Sequence, residues 1–96
     1  MSYQLSFAAE QDLINMYLEG AENFGRAQAD AYQNRIDGVI HLLAANPEMA
    51  RLRTEVSPPV RVHPILSHVI IYEIDGEGIT IVRVRHQREN WNTAQK

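Results

Sequence analysis

Residues 68–86 read HVIIYEIDGEGITIVRVRH, and this stretch decides the fold. His68 to Ile74 and Ile79 to His86 each carry the β-branched and aromatic residues of a strand. Between them, Asp75-Gly76-Glu77-Gly78 has the composition of a hairpin turn. The first strand is apolar at adjacent positions, not only at alternate ones. A strand apolar on both faces is a central strand covered on both sides. The second strand alternates, and strict alternation puts Ile79, Ile81, Arg83 and Arg85 on one face and Thr80, Val82, Val84 and His86 on the other.

Upstream of this hairpin, Val60-Arg61-Val62-His63 is one more short strand, with Pro64 as its stop. Before it, Pro47 to Pro59 is irregular and reads as a loop carrying one short turn. A connector of that length is often partner-facing, although it can also simply span the domain. Further back the period changes from 2 to 3.6. Arg26 to Ala45 places Ala29, Tyr32, Ile36, Val39, Ile40 and Leu43 on one stripe, and Asn46-Pro47 ends that helix. Ala8 to Asn23 is a second helix with Leu13, Ile14, Tyr17, Ala21 and Phe24 as its stripe. Gly25 leaves so short a link that the two helices must fold back on each other. Tyr3 to Phe7 alternates as a short strand, and Ser6 is placed to cap the helix that follows. The expected class is α+β: a helical hairpin packed on a small twisted antiparallel sheet, in the order β-α-α-β-β-β.

At 96 residues the chain is one domain, residues 1–96, with residues 87–96 as a C-terminal tail. There is no cysteine, so disulfides and thiolate metal sites are excluded. Four histidines without regular spacing do not make a metal site, and no cofactor motif occurs. No stretch is long and apolar enough for a membrane span, and residues 1–7 lack the features of a secretory signal, so a cytoplasmic protein is expected. The net charge of −3 argues against general nucleic-acid binding. The charge is uneven. Residues 1–50 hold two bases against seven acids, a balance of −5, and residues 51–96 hold seven against five, a balance of +2. An acidic half and a basic half suit a polar docking surface, or simply two solvated faces.

Chemistry-bearing residues gather late in the chain. Arg61, Arg83, Arg85, Arg88, His68 and His86 lie on the strands or just beyond them. Arginines at alternate strand positions can hold phosphates or an acidic peptide, or can pair with Glu73 and other acids on neighbouring strands. His86 at a strand end can act as an acid or base, or be a hydrogen-bonded structural residue. Trp91 stands alone in a polar tail, as an anchor for it or as a contact for a partner. There is no nucleophile elbow, phosphate loop or HExxH.

Four stretches in order resemble the ParE toxins of the RelE/ParE toxin–antitoxin superfamily: LSFAAEQDLINMY from Leu5, NFGRAQADAYQNRI from Asn23, LAANPEMARLR from Leu43, and VRVHPILSHVIIYEIDGEGITIVRVRHQREN from Val60. The resemblance spans nearly the whole chain. It implies a toxin that inhibits or poisons DNA gyrase by binding, without catalysis. It also implies a ParD-type antitoxin wrapped over the hairpin and sheet in a hetero-oligomer, and no direct sequence-specific contact with nucleic acid. Arg83, Arg85, Arg88 and Trp91 are the candidate target contacts. Leu13, Tyr17, Tyr32, Ile36, Arg61, Val69 and Ile71 are the candidate antitoxin contacts. The superfamily's ribonucleases are the alternative, with Arg61, Arg83 and His86 as the catalytic set. The sequence departs from that branch: its only lysine is Lys96, Gln87 stands where one ribonuclease branch has a tyrosine, and no tyrosine follows Tyr72. It departs from common ParE forms at Phe7, where proline is usual, and at Arg85, where an apolar residue is usual. A binding module, or a toxin without activity, is the remaining reading.

Overall fold

A computed structural model describes residues 2–76 and 78–89. Its elements are β1 (Tyr3–Leu5), α1 (Phe7–Phe24), α2 (Arg26–Ala45), β2 (Leu52–Arg53), β3 (Val60–Ile65), β4 (His68–Asp75) and β5 (Gly78–His86). The strands form one sheet in the order β1-β5-β4-β3-β2. The expected β-α-α-β-β-β order holds, with the two-residue β2 added inside the loop. The ladders from β2 through β5 are antiparallel, and β1 joins parallel to β5. The sheet is therefore mixed at one edge.

Both helices lie on one face of the sheet. Ile36, Ile40 and Leu43 of α2 meet Ile70 and Tyr72 of β4 and Ile79, Ile81 and Val84 of β5 in the main core. On the opposite face, Val56, Val60, Val62, Val69 and Ile71 form a second cluster with Val82 against it. The doubly apolar reading of β4 is thus correct: Ile70 and Tyr72 face the helices while Val69 and Ile71 face away.

Ser6 governs the passage from strand to helix. Its N–H donates to Ile81 O at 3.0 Å, continuing the β1–β5 pairing. Its hydroxyl accepts from the Ala9 N–H at 2.9 Å and donates to Val82 O at 2.7 Å. One side chain therefore caps α1 and ties the cap to β5. Strand β1 ends at Leu5, so Phe7 is the first helical residue, and it is 77% exposed. Gly25, at φ 94°, is the whole linker between the helices and donates to Ala21 O.

Three expectations change. First, α1 is rotated from the expected stripe. It packs on the core through Ala9, Leu13 and Met16, while Ile14 and Phe24 are exposed. Second, β3 runs through Pro64 to Ile65. Beyond Arg61 its outer edge has no strand beside it, because β2 covers only Val60 and Arg61, and proline is tolerated where no partner needs its N–H. Third, β5 does not alternate strictly. Ile71 pairs with Arg83 and Tyr72 pairs with Ile81, which leaves Val82 as an extra residue. Ile79, Ile81 and Val84 consequently face the helices, and Arg83 and Arg85 stand opposite Ile71 and Val69 of the other layer.

The parallel edge rests on a close approach at Gly78. A Cβ there would collide with the carbonyl oxygen of Ser2, which accepts from Ile79 N at 3.1 Å. Gly78→Ala is expected to cost about 1–3 kcal/mol, the usual range for forcing extra volume into a packed site. Amide exchange at Ile79 and Ser6 should accelerate while Ile70 stays protected. Unchanged exchange at both amides would refute this role.

Candidate functional site

Two groups of polar residues stand out, one along the outer edge of β5 and one at its C-terminal end. Strand β1 pairs with β5 only as far as Ile81, so the N–H of Val84 has no strand to donate to. Asp12, one helical turn and a half into α1, supplies the acceptor: its Oδ2 takes the Val84 N–H at 3.0 Å. The same carboxylate grips the Arg83 guanidinium at both oxygens, Nε to Oδ2 at 2.8 Å and Nη2 to Oδ1 at 2.9 Å. Arg85 approaches Asp12 Oδ1 at 3.7 Å and donates to Glu89 through its other nitrogen. The hydrogen bond to Asp12 raises the already high Arg83 pKa. The Asp12 side chain is only 12% exposed and both arginines 22%, so these charges are partly shielded from water.

The second group lies where the hairpin of strands ends under the helical hairpin. His68 and His86 are direct cross-strand partners, with ring centroids 5.1 Å apart. The Tyr32 hydroxyl of α2 accepts from the Ser67 N–H at 3.2 Å and lies 2.6 Å from His68 Nδ1. The phenol thus bridges the Ser67 N–H and the His68 imidazole. The backbone N–H of Arg88 donates to His86 Nδ1 at 3.1 Å. Burial holds the His68 pKa below the ordinary histidine value, and the neighbouring His86 lowers it further, against the pull of Glu89 and Glu19. The two imidazoles close one end of a groove of about 370 Å³ whose walls include Tyr17, Phe24 and Tyr32. Gln87 pins the strand end from behind, donating from its backbone to Ser67 O and from its side chain to Leu66 O, both at 2.8 Å. The first residues of the expected tail therefore close back on the β3–β4 turn.

The expected site residues do not form one site. Arg83 and Arg85 are engaged by Asp12 and Glu89, not by Glu73. Arg88 is exposed in the turn after β5, and Trp91 lies outside the described residues. Leu13, Tyr17 and Tyr32 are partly accessible. Ile36, Val69 and Ile71 are 4% exposed or less, because they fill the chain's own two cores, so a partner cannot touch them in this conformation. Arg61 reaches inward and donates to Ala50 O at 2.7 Å, beside Tyr72, whose hydroxyl donates to Pro47 O at 2.8 Å. These two side chains hold the chain after α2. The catalytic alternative of Arg61, Arg83 and His86 is not brought together. Arg61 pairs with Tyr72, and His86 with His68, four residues further along β4. That separates Arg61 from His86 by about 13 Å along the sheet and about 10 Å across it. Asp12 and Glu89 are the residues that sequence reasoning missed as site members, while His68, read as one of the chemistry-bearing residues, is placed beside His86. Among the described residues, no group of three or more histidines and acids is placed to hold a metal ion, and no helix is long and apolar enough to cross a membrane.

Residues 3–91 match the sequence profile of a family described as the ParE toxin of type II toxin–antitoxin systems, parDE. Toxin ParE1 of Mycobacterium tuberculosis is 37% identical over 87 residues, which cover 90% of this chain and 89% of the relative. Toxin ParE3 of Caulobacter vibrioides is 33% identical over 79 residues, covering 82% and 79%. Among solved structures, a chain of the chromosomal ParDE system from P. aeruginosa superimposes with a TM-score of 0.75 at 24% identity, over 90% of this chain and 95% of that one. This last likeness concerns the fold.

The Asp12 anchor makes a stability prediction. Hydrogen bonds to charged groups contribute roughly 1.5–3 kcal/mol each when partly buried. Asp12→Ala should therefore destabilise the domain by about 2–3 kcal/mol. Asp12→Asn, which keeps an acceptor for Val84 but loses the charge, should cost about half as much. In a double-mutant cycle with Arg83→Gln, urea unfolding should give a coupling above about 1 kcal/mol. Additive losses would show that the pair is only a neighbourly contact.

Proposed function

The chain belongs to the ParE toxin family of type II toxin–antitoxin systems, and on that premise we propose that it acts by binding DNA gyrase. In this reading the toxin arrests replication as an inhibitor without an active site of its own. It works in the cytoplasm and is held inactive by a ParD-type antitoxin that covers the helical hairpin in a hetero-oligomer. The accessible Leu13, Tyr17 and Tyr32 contribute to that cover. Arg88 and Trp91 contact the target, and Arg83 and Arg85 shape the surface of the last strand.

One observation carries the choice of binding over cleavage. A ribonuclease needs free cations at the scissile phosphate together with a placed acid or base. Here the two strand arginines nearest His86 are already paired with carboxylates, and Arg61 is remote and turned inward. His86 itself spends Nδ1 on a backbone N–H and faces another imidazole. A phosphodiester brought to this pair would meet Glu19 and Glu89 and no unpaired arginine among the described groove walls.

The purified protein is expected to inhibit gyrase supercoiling in vitro and to leave ribosome-bound mRNA intact. Cleavage of mRNA in the ribosomal A site, with supercoiling unaffected, would overturn the assignment. Growth arrest on expression in a bacterial host should survive His86→Ala. Arg88→Ala should weaken gyrase inhibition roughly tenfold, the equivalent of one good contact at 1.4 kcal/mol, without lowering the melting temperature.

A further inference from the structure

We propose that the groove closed by Tyr32, His68 and His86 is a receptacle for an arginine side chain presented by the partner polypeptide. The inference rests on the antitoxin reading and adds the chemistry of one contact to it.

The groove sits at the turn end of the helical hairpin, between Phe24 and the ends of β4 and β5. Three features select its occupant. Its lining includes three aromatic residues, Tyr17, Phe24 and Tyr32, and aromatic rings attract cations, a planar guanidinium most readily. Its charged lining is acidic: Glu19 is among the lining residues together with the amides of Gln28 and Gln33, and no Lys or Arg is. Its closed end is formed by two imidazoles, His86 taking the Arg88 N–H at Nδ1 and His68 hydrogen-bonded to the Tyr32 hydroxyl. The half of the chain that carries the groove has a balance of −5, so a basic segment is drawn to it. An acidic segment or a nucleic acid would be repelled by the same charge. A second copy of this chain would bring its own acidic hairpin against this one.

His68 makes the site responsive to pH. His68 faces Glu19 from α1, Tyr32 from α2, His86 from β5 and Glu89 from the following turn. Burial holds the His68 pKa below the ordinary histidine value, and the neighbouring His86 lowers it further. Acidification that protonates His68 puts a positive charge at the closed end, where the guanidinium would lie. The arginine-bound state therefore holds fewer protons than the free one, and by linkage affinity falls as pH falls.

The test is an NMR titration of the labelled 96-residue chain with N-acetyl-L-argininamide, followed at the imidazole Cε1–H signals of His68 and His86 and the ring signals of Tyr32. Saturable movement of all three is expected at about pH 7.5, and binding that weakens steadily as the pH is lowered towards about 5. Glu19→Gln, at an exposed position, should remove most of the response. N-acetyl-L-glutaminamide and N-acetyl-L-aspartate should give none. No saturable shift, an equal response to either control, or shifts that track protein concentration without any probe would each overturn the receptacle; the last would indicate self-association. The antitoxin reading is tested apart from this, by co-purification with the product of the neighbouring gene. A complex whose affinity ignores Glu19→Gln and pH would sink the receptacle alone. Absence of any complex would sink the antitoxin reading, while the titration would still decide the groove.

Discussion

Two residues of β5, Val82 and Arg83, stand where strict pairing would place one, and the surroundings of the site follow from that single extra residue. A bulge reverses which face each later side chain occupies. Before it, Ile79 and Ile81 point at the helices. After it, Val84 resumes the same face, and Arg83 and Arg85 are moved off it. Without the bulge, two guanidinium groups would have been directed into the main core beneath α1 and α2, and Val84 would have been lost from it. Desolvating two unpaired arginines costs several kcal/mol each, far more than any strand irregularity. The bulge is the arrangement that lets a strand carry both the core's isoleucines and the surface's arginines.

The bulge also creates the need that Asp12 meets. It sits where β1 has ended, so the outer edge of β5 is open from Val82 onward. An open edge leaves backbone N–H groups without partners and invites pairing with another chain. One carboxylate closes it by taking the Val84 N–H, and the same two oxygens neutralise the arginine that the bulge turned aside. Ser6 does the equivalent one turn earlier, joining the cap of α1 to the carbonyls of Ile81 and Val82. Helix α1 is thus fastened to the sheet by two polar side chains along its first turns.

Much of this fold is readable from the sequence, because its largest signals are periodic. The 3.6-residue period of α2, the doubly apolar HVIIYEI and the Asp-Gly turn each specify an element without outside help. What escapes is whatever depends on position in the sheet. Counting outward from the turn with strict pairing sets His68 opposite Arg85, one residue short of His86. Only the bulge restores the histidine pair, and nothing in ITIVRVRH announces it. Cross-strand pairing would give Arg83 and Arg85 partners on adjacent strands. Arg83 instead takes Asp12, 71 residues away and reaching the strand from its edge, so no local pattern contains it, while Arg85 takes Glu89 from the following turn. Pro64 misled for the same reason, since its tolerance depends on β2 being too short to reach it. The candidate site fared worse than the fold because a site is made of such long-range placements. Ile36, Val69 and Ile71 were sensible apolar choices, but sequence alone does not say which apolar residues the chain keeps for itself.

That distinction matters most on α1. An ordinary surface helix is held to its domain by an apolar stripe, which uses up its hydrophobic side chains. Here Ala9 is the only fully buried residue of the helix, and Phe7, Ile14 and Leu18 are 77%, 46% and 59% exposed. Those three recur at helical spacing on the side away from Ala9. Such a helix would be weakly held if burial were its only attachment. Ser6 and Asp12 supply attachment of a different kind, through directed hydrogen bonds at its sheet-facing start. The polar anchors leave the outward stripe unspent. A domain of 96 residues has a thin core and little stability to spare, so apolar surface left open in this way is a cost to the isolated chain. A partner covering the helix would recover it. A toxin held by another polypeptide through α1 would gain from this division, because the contacts that keep α1 in place are not the contacts such a partner would occupy.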